Sequence, residues 1–133
     1  MPDSISEPTP TTVISAGLTD PDCLFCKIVV GQIPATFVYR AERVTAFRDV
    51  NPQMPIHVLI VPNQHVANTE ALEPEHNALV GEVVRTSREI AKQEGLSERG
   101  YRLVINTGPD AQNSVPHLHV HLLGGRPMSW PPG

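Results

Sequence analysis

His117-Leu118-His119-Val120-His121-Leu122-Leu123 places three histidines in strict alternation with aliphatic residues. A β-strand over 117–123 sends all three imidazoles to one face and Leu118, Val120 and Leu122 to the other, because strand side chains repeat every two residues. One face packs and the other is free for chemistry. Residues two apart rise about 6.6 Å, so the outer imidazoles lie about 13 Å apart along the strand. A single ion does not easily hold all three, and a division of labour among them is the natural reading.

Working outward, Asn106-Thr107-Gly108-Pro109-Asp110-Ala111-Gln112-Asn113-Ser114-Val115 is a polar loop that ends beside the histidines. Its backbone N–H groups, the Asn113 amide and the Ser114 hydroxyl can hold an anion, although alone the loop would read as a solvated turn. A further strand precedes it over 101–106. Upstream, residues 74–94 carry Leu79, Val80, Val83, Val84, Ile90 and Ala91 at helical spacing, with Pro74 near the start and Gly95 past the end. This is the one long helix, and His76 reads as a solvated residue on it. Residues 57–61 are β-branched and apolar and stop at Pro62, which marks a central strand with His57 at its start. The runs 36–40 and 44–48 read as a hairpin, and Asn51-Pro52-Gln53-Met54-Pro55 is turn chemistry. Leu24, Phe25, Ile28 and Val29 give a short helix ending at Gly31. Five strands with interrupting helices and no repeated βαβ unit predict an α+β fold with an antiparallel sheet, one long helix and one short.

Composition narrows the partners. The 133 residues suit one domain with its own core, 40% of them are apolar, and the formal charge is −4. No basic stripe is present, which argues against a nucleic-acid ligand while leaving a small phosphorylated molecule open. No run is long and apolar enough to span a bilayer and no signal-peptide pattern opens the chain, so a cytoplasmic location is expected, with no membrane partner. Residues 1–19, rich in Pro, Ser and Thr, are expected to form a flexible arm before a domain at 20–133. The tail 126–133 carries Trp130, an aromatic that calls for a packing surface.

Two further features bear on chemistry. Asp49 follows the 44–48 strand; a turn carboxylate is the ordinary reading, yet it suits a ribose diol, while Arg48 reads as surface. Cys23-Leu24-Phe25-Cys26 is half of a zinc site by spacing, and His65 with His117 could complete a closed Cys2His2 tetrahedron. A redox pair, which lacks its usual βαβ setting here, and two inert buried thiols are the alternatives.

Taken together these residues resemble the histidine-triad superfamily of nucleotide hydrolases and transferases, whose signature is His-φ-His-φ-His-φ-φ with φ apolar. The resemblance covers residues 22–133. Leu24-Phe25-Cys26-Lys27-Ile28, Ala46-Phe47-Arg48-Asp49-Val50, His57-Val58-Leu59-Ile60-Val61-Pro62 with His65, Tyr101-Arg102-Leu103-Val104-Ile105-Asn106 and the terminal Trp130-Pro131-Pro132-Gly133 look like its Hint branch. That resemblance implies a purine nucleoside phosphoramidase acting on nucleoside 5′-monophosphate amides. His119 would attack phosphorus to form a nucleotidyl-histidine intermediate, His121 would bond the phosphate or assist the leaving amine, and His57 would order the imidazoles. Ser114 and Asn113 would hold phosphate, Asp49 the ribose, and Leu24, Phe25, Ile28, Phe47 and Val50 the base, with Asn106 orienting the site. It further implies a homodimer with a continuous ten-stranded sheet, Trp130 reaching the partner's site, and a structural zinc in the Cys23, Cys26, His65 and His117 cage, with no catalytic cofactor. Where relatives usually have Gly-Gln before Ser, this chain reads Gln112-Asn113-Ser114.

Three other readings stand beside this one: a dinucleoside polyphosphate hydrolase, a non-catalytic nucleotide-binding protein, and a metalloenzyme using a His117/His119 pair. The last predicts activity lost to chelators, whereas a histidine nucleophile predicts turnover that resists them. His121 and the Trp-Pro-Pro-Gly tail favour the phosphoramidase.

Overall fold

The computed structural model describes residues 19–133; the expectation for the arm at 1–19 falls, apart from Thr19, outside the described residues. The short helix α1 is Leu24–Val29, followed by strands β1 (Phe37–Arg40), β2 (Val44–Arg48) and β3 (Ile56–Pro62), helix α2 (Asn77–Gln93), and strands β4 (Tyr101–Val104) and β5 (Val120–Gly124). The strands form one antiparallel sheet in the order β1-β2-β3-β5-β4. The α+β class expected from the sequence is what the chain adopts.

Period-two alternation divides the sheet into two faces. Val58 and Ile60 of β3 and Val120 and Leu122 of β5 join Val44, Ala46, Val83, Ile90 and Ala91 in the core under α2. Leu59 and Val61 point the other way, into a second cluster with Phe25, Cys26, Ile28 and Val29 of α1. Fully burying an aliphatic side chain such as Ile60 or Leu122 stabilises the fold by about 1.5–3 kcal/mol. Both sheet faces are therefore covered, and the chemistry lies on the α1 face.

Several boundaries differ from expectation. β5 begins at Val120, not His117, because its ladder with β3 stops at the Ile60–Val120 pair. Pro62 has no N–H to extend it, and Pro116 interrupts the approach. His117 N–H instead donates to Val115 O at 2.8 Å and Leu118 N–H to Val66 O at 2.6 Å. The long helix is preceded by a separate 3₁₀ turn, Pro74–His76, whose capping box joins Glu73 N–H to His76 Nδ1 at 2.8 Å. His76 is thus a half-buried cap and not a solvated bystander. On α2, Val84 is 42% exposed while Thr86 and Ser87 are buried, Ser87 Oγ donating to Val83 O. Arg48, read as surface, forms a two-pronged pair with Glu94 at 2.9 and 3.1 Å. β4 ends at Val104, two residues early; Leu103 on this edge strand and Ile105 just beyond it are 37% and 41% exposed.

Candidate active site

His119 and His121 project from the start of β5 on the α1 face, and His57 stands on the neighbouring β3 opposite Leu123. His119 and His57 each have one nitrogen committed by a backbone partner of fixed polarity, which fixes where the proton sits. His119 Nδ1 lies 2.6 Å from the His117 carbonyl oxygen. A carbonyl only accepts, so Nδ1 carries the proton and Nε2 keeps the lone pair. His57 Nδ1 accepts from the Gln53 backbone N–H at 3.0 Å, so its proton is on Nε2, 2.9 Å from His121 Nδ1. With Nδ1 accepting from His57, His121 carries its own proton on Nε2; Asn106 Nδ2, 3.4 Å away, is itself a donor and cannot accept it, so this N–H is left for a ligand.

Asp49 sits beside this relay. Its N–H donates to His57 O at 3.0 Å, its Oδ1 accepts from Asn51 N–H at 2.8 Å, and its Oδ2 is 3.4 Å from His57 Nε2. Burial holds all three rings neutral. It lowers His57 and His119 below the ordinary imidazole range, against an opposing pull from Asp49 on His57 and from the His117 carbonyl on His119. His121 is pushed down to about 4, first by burial and then by His119 and His57.

In front of His119 and His121 lies a cavity of about 330 Å³. Leu24, Phe25, Ile28, Phe47, Asp49, Val50 and Ser114, all expected from the sequence, line it. Phe25 stands edge-on to the His119 ring at 5.0 Å. Val50 is 98% exposed, at the open side. Asn106 and Asn113 are not among the lining residues; Asn106, just past β4, brings Nδ2 within 3.4 Å of His121 Nε2, and Asn113 Oδ1 is buried with no partner. Sequence reasoning missed Ile33, Pro34, Ala35, Leu59 and Val115, and Arg48, read as surface, also lines the cavity. Pro34 stood out only as a helix stop, and Leu59 was legible as the β3 residue sharing a face with His57. The Gln53 donor is a backbone group and has no side-chain signature.

The loop 108–115 keeps its turn without the expected glycine. After the 3₁₀ turn Pro109–Ala111, Gln112 itself takes the left-handed conformation at φ 59° and ψ 38°. It is the single non-glycine with positive φ among the described residues. Gln112 N–H donates to Pro109 O and Asn113 N–H to Gly108 O, closing the turn.

Behind the site, Cys23, Cys26, His65 and His117 converge with their donor atoms all within 4.8 Å of one another. Cys23 Sγ and His117 Nδ1 are 3.3 Å apart, Cys26 Sγ and His65 Nδ1 3.4 Å, and Cys26 Sγ and His117 Nδ1 3.5 Å. Ideal tetrahedral zinc would separate S and N by about 3.6 Å, so the cage needs only slight widening. His117 Nε2–H donates to Pro62 O at 2.8 Å, which leaves Nδ1 free to ligate and orients the ring. The Cys23 and Cys26 sulfurs accept from the backbone N–H groups of Cys26 and Asp20. Burial keeps His117 neutral, down to about 4, and pushes the Cys26 thiol up to about 11. The residues fit a closed Cys2His2 centre.

The other convergent group, Asp49, His57 and His121, does not suit a cation. Gln53 N–H occupies the one lone pair of neutral His57, so its Nε2 has a proton and no electrons for a metal. Among the described residues, no group of three or more candidate ligands contains both His117 and His119.

Comparison with known proteins places this geometry in a family. The family model described as HIT domain matches residues 30–128. A 14 kDa zinc-binding protein of Zea mays is 49% identical over 118 residues, covering 87% of this chain and 91% of its own. Two relatives are 43% identical. The purine nucleoside phosphoramidase of Escherichia coli K12 aligns over 107 residues, 80% of this chain and 90% of its own. The adenylylsulfatase HINT1 of Arabidopsis thaliana aligns over 122 residues, 90% and 82%. The crystal structure of a HIT family hydrolase from Legionella pneumophila superposes with a TM-score of 0.83 at 46% identity, covering 84% of this chain and all of the other. A family match across most of the domain, on a superposable fold, makes this chain a member of the HIT domain family.

Proposed function

We propose that the protein is a purine nucleoside phosphoramidase that cleaves the P–N bond of a nucleoside 5′-monophosphate amide through a nucleotidyl intermediate on His119. The observation that carries this reading is the 2.6 Å contact between His119 Nδ1 and the His117 carbonyl. It leaves the Nε2 lone pair of a buried, neutral imidazole as the nucleophile. Attack forms an N–P bond while the amine departs with the electron pair of the old P–N bond and a proton drawn from solvent. The His117 carbonyl stabilises the positive charge that develops on the His119 ring. His121 Nε2–H, held outward by His57, bonds a phosphate oxygen or the departing nitrogen. Water then cleaves the intermediate and regenerates His119. Phe25, Ile28, Phe47 and Leu24 offer an apolar slot for the base, Asp49 an acceptor for ribose hydroxyls, and Ser114 with the Asn113 region a seat for phosphate. The Escherichia coli relative's name supports the P–N substrate, and the Arabidopsis relative's name makes a mixed phosphate–sulfate anhydride the competing one.

A structural zinc in the Cys23, Cys26, His65 and His117 cage belongs to the same reading, supported by the donor geometry and by the maize relative's name. So does a homodimer, supported by the exposed Leu103 of β4 and Ile105 just beyond it, and by Trp130, which is 81% exposed with the Arg102 guanidinium 5.8 Å from its ring. Two free buried cysteines agree with a reducing, cytoplasmic setting.

The test is a panel of adenosine phosphoramidates, dinucleoside polyphosphates, adenylyl sulfate and sugar nucleotides, run on the native protein and on His119→Gly. The phosphoramidate should be the preferred substrate, and His119→Gly should lose at least about 10³-fold in turnover while still binding adenosine monophosphate. Preference for another class would replace the substrate assignment, and native-like turnover by the variant would remove the nucleophile.

A further inference from the structure

His117 belongs to two assemblies at once. Its ring reaches the two thiols through Nδ1 and Pro62 O through Nε2–H, and its backbone carbonyl receives the His119 Nδ1–H. The residue is wholly buried. It also lies outside the sheet, since β5 pairing begins only at Val120. No ladder hydrogen bond therefore steadies the carbonyl that selects the His119 tautomer. What holds the His117 backbone is one short-range bond from its own N–H to Val115 O, the Leu118 N–H bond to Val66 O, and the ring's anchorage. Without a cation, the directional partner left to the ring is Pro62 O, because a neutral Nδ1 and a thiol make only a weak, long contact.

We propose that the Cys23, Cys26, His65 and His117 cage, when it holds zinc, sets the tautomer and placement of His119 through the His117 carbonyl. His117 is then a positioning residue for the nucleophile as well as a metal ligand. This rests on the reading of His119 as the nucleophile. A ring fixed by four-coordinate metal fixes its own Cα, and with it the peptide plane that presents the carbonyl. A carbonyl held 2.6 Å from His119 Nδ1 admits only the Nδ1–H form, which is the form with Nε2 electrons facing the cavity. When the cage is empty, the carbonyl is free to shift and His119 samples the Nε2–H form, which has no lone pair to offer phosphorus. Turnover falls without vanishing, since the imidazole is still present. A metal-bound nucleophile would instead lose all activity with the metal.

The experiment uses the full chain labelled with ¹⁵N-histidine, loaded with one equivalent of zinc or stripped by chelator, and reads the His119 ring tautomer by long-range ¹H–¹⁵N NMR. The loaded protein should show one Nδ1–H tautomer. The stripped protein, checked as folded by its core methyl signals, should show averaged ring nitrogens and a kcat for adenosine phosphoramidate about tenfold lower, with KM little changed. His65→Ala should reproduce the stripped signal, and His65→Cys, which substitutes one zinc donor for another, should restore the loaded one. If stripping unfolds the chain, cadmium replaces zinc, and the larger ion should move the His119 nitrogens in a folded protein. An unchanged His119 signature on stripping or on cadmium exchange overturns the proposal, as does a purified protein that takes up no zinc. Failure of the nucleophile reading is separable: it shows as absence of a nucleotidyl adduct on His119 in the zinc-loaded protein, whatever the tautomer does.

Discussion

Three imidazoles that look equivalent in the sequence are made unequal by what touches their nitrogens. The alternation placed His119 and His121 on the side of the chain away from Val120 and Leu122, whereas His117 lies before the strand. It could not show which nitrogen of each ring holds a proton, because the deciding partners are backbone groups of His117, Gln53 and Pro62. Those groups carry no side-chain signature. The depressed His121 value gives a prediction at this scale. In the unfolded chain the imidazole titrates at its ordinary 6.5, whereas in the folded chain it does so at about 4. Between these values the unfolded state takes up the proton first, so stability should fall as pH drops from about 6.5 to about 4. Thermal melts across this window should show a shallower fall for His121→Asn than for the native protein; parallel curves would mean that His121 contributes nothing to acid sensitivity.

At the scale of elements, hydrophobic period and punctuation carried most of the fold. Residues 44–48 and the helix ending before Gly31 stand where the sequence placed them, because β-branched runs and a positive-φ glycine are local signals. The errors fall where prolines and polar groups act at a distance. Pro62 ends the β3–β5 ladder, so His117 leaves the strand and becomes available to the cysteines 94 and 91 residues away in sequence. The phosphate-side loop shows the same limit, since nothing in the sequence revealed that Gln112 would itself adopt φ 59°. That conformation costs a non-glycine residue about 1–2 kcal/mol, while glycine loses up to about 1 kcal/mol through the freer unfolded chain. Gln112→Gly should therefore leave stability and kcat/KM close to native. Gln112→Val, whose branched side chain resists this region, should lose about 1–3 kcal/mol in urea unfolding and weaken phosphoramidate turnover. Equal behaviour of the two variants would show that the loop does not need the left-handed residue.

For the whole molecule, the sheet has one protected face under α2, one face given to the site, and one edge left apolar. Leu103 stands exposed on that edge strand, β4, and Ile105 just beyond it, with Arg102 of the same strand against Trp130 of the tail. An exposed apolar edge invites pairing with a second copy. Light scattering should find a dimer for the native chain and a monomer for the Leu103→Lys, Ile105→Lys double variant; a native monomer would refute the ten-stranded assembly. Sequence motifs made that dimer expected, but only the three-dimensional edge identifies which side chains it would cover. The cage and the nucleophile are likewise joined only in three dimensions, through two sides of one buried histidine. Covalent attack by His119 leaves a trace on the protein, which is read by quenching the reaction with adenosine phosphoramidate within the first turnover and mapping the mass added. An adenylyl group on His119, absent from His119→Gly, is the predicted result; full turnover with no adduct, or an adduct on another residue, would contradict it.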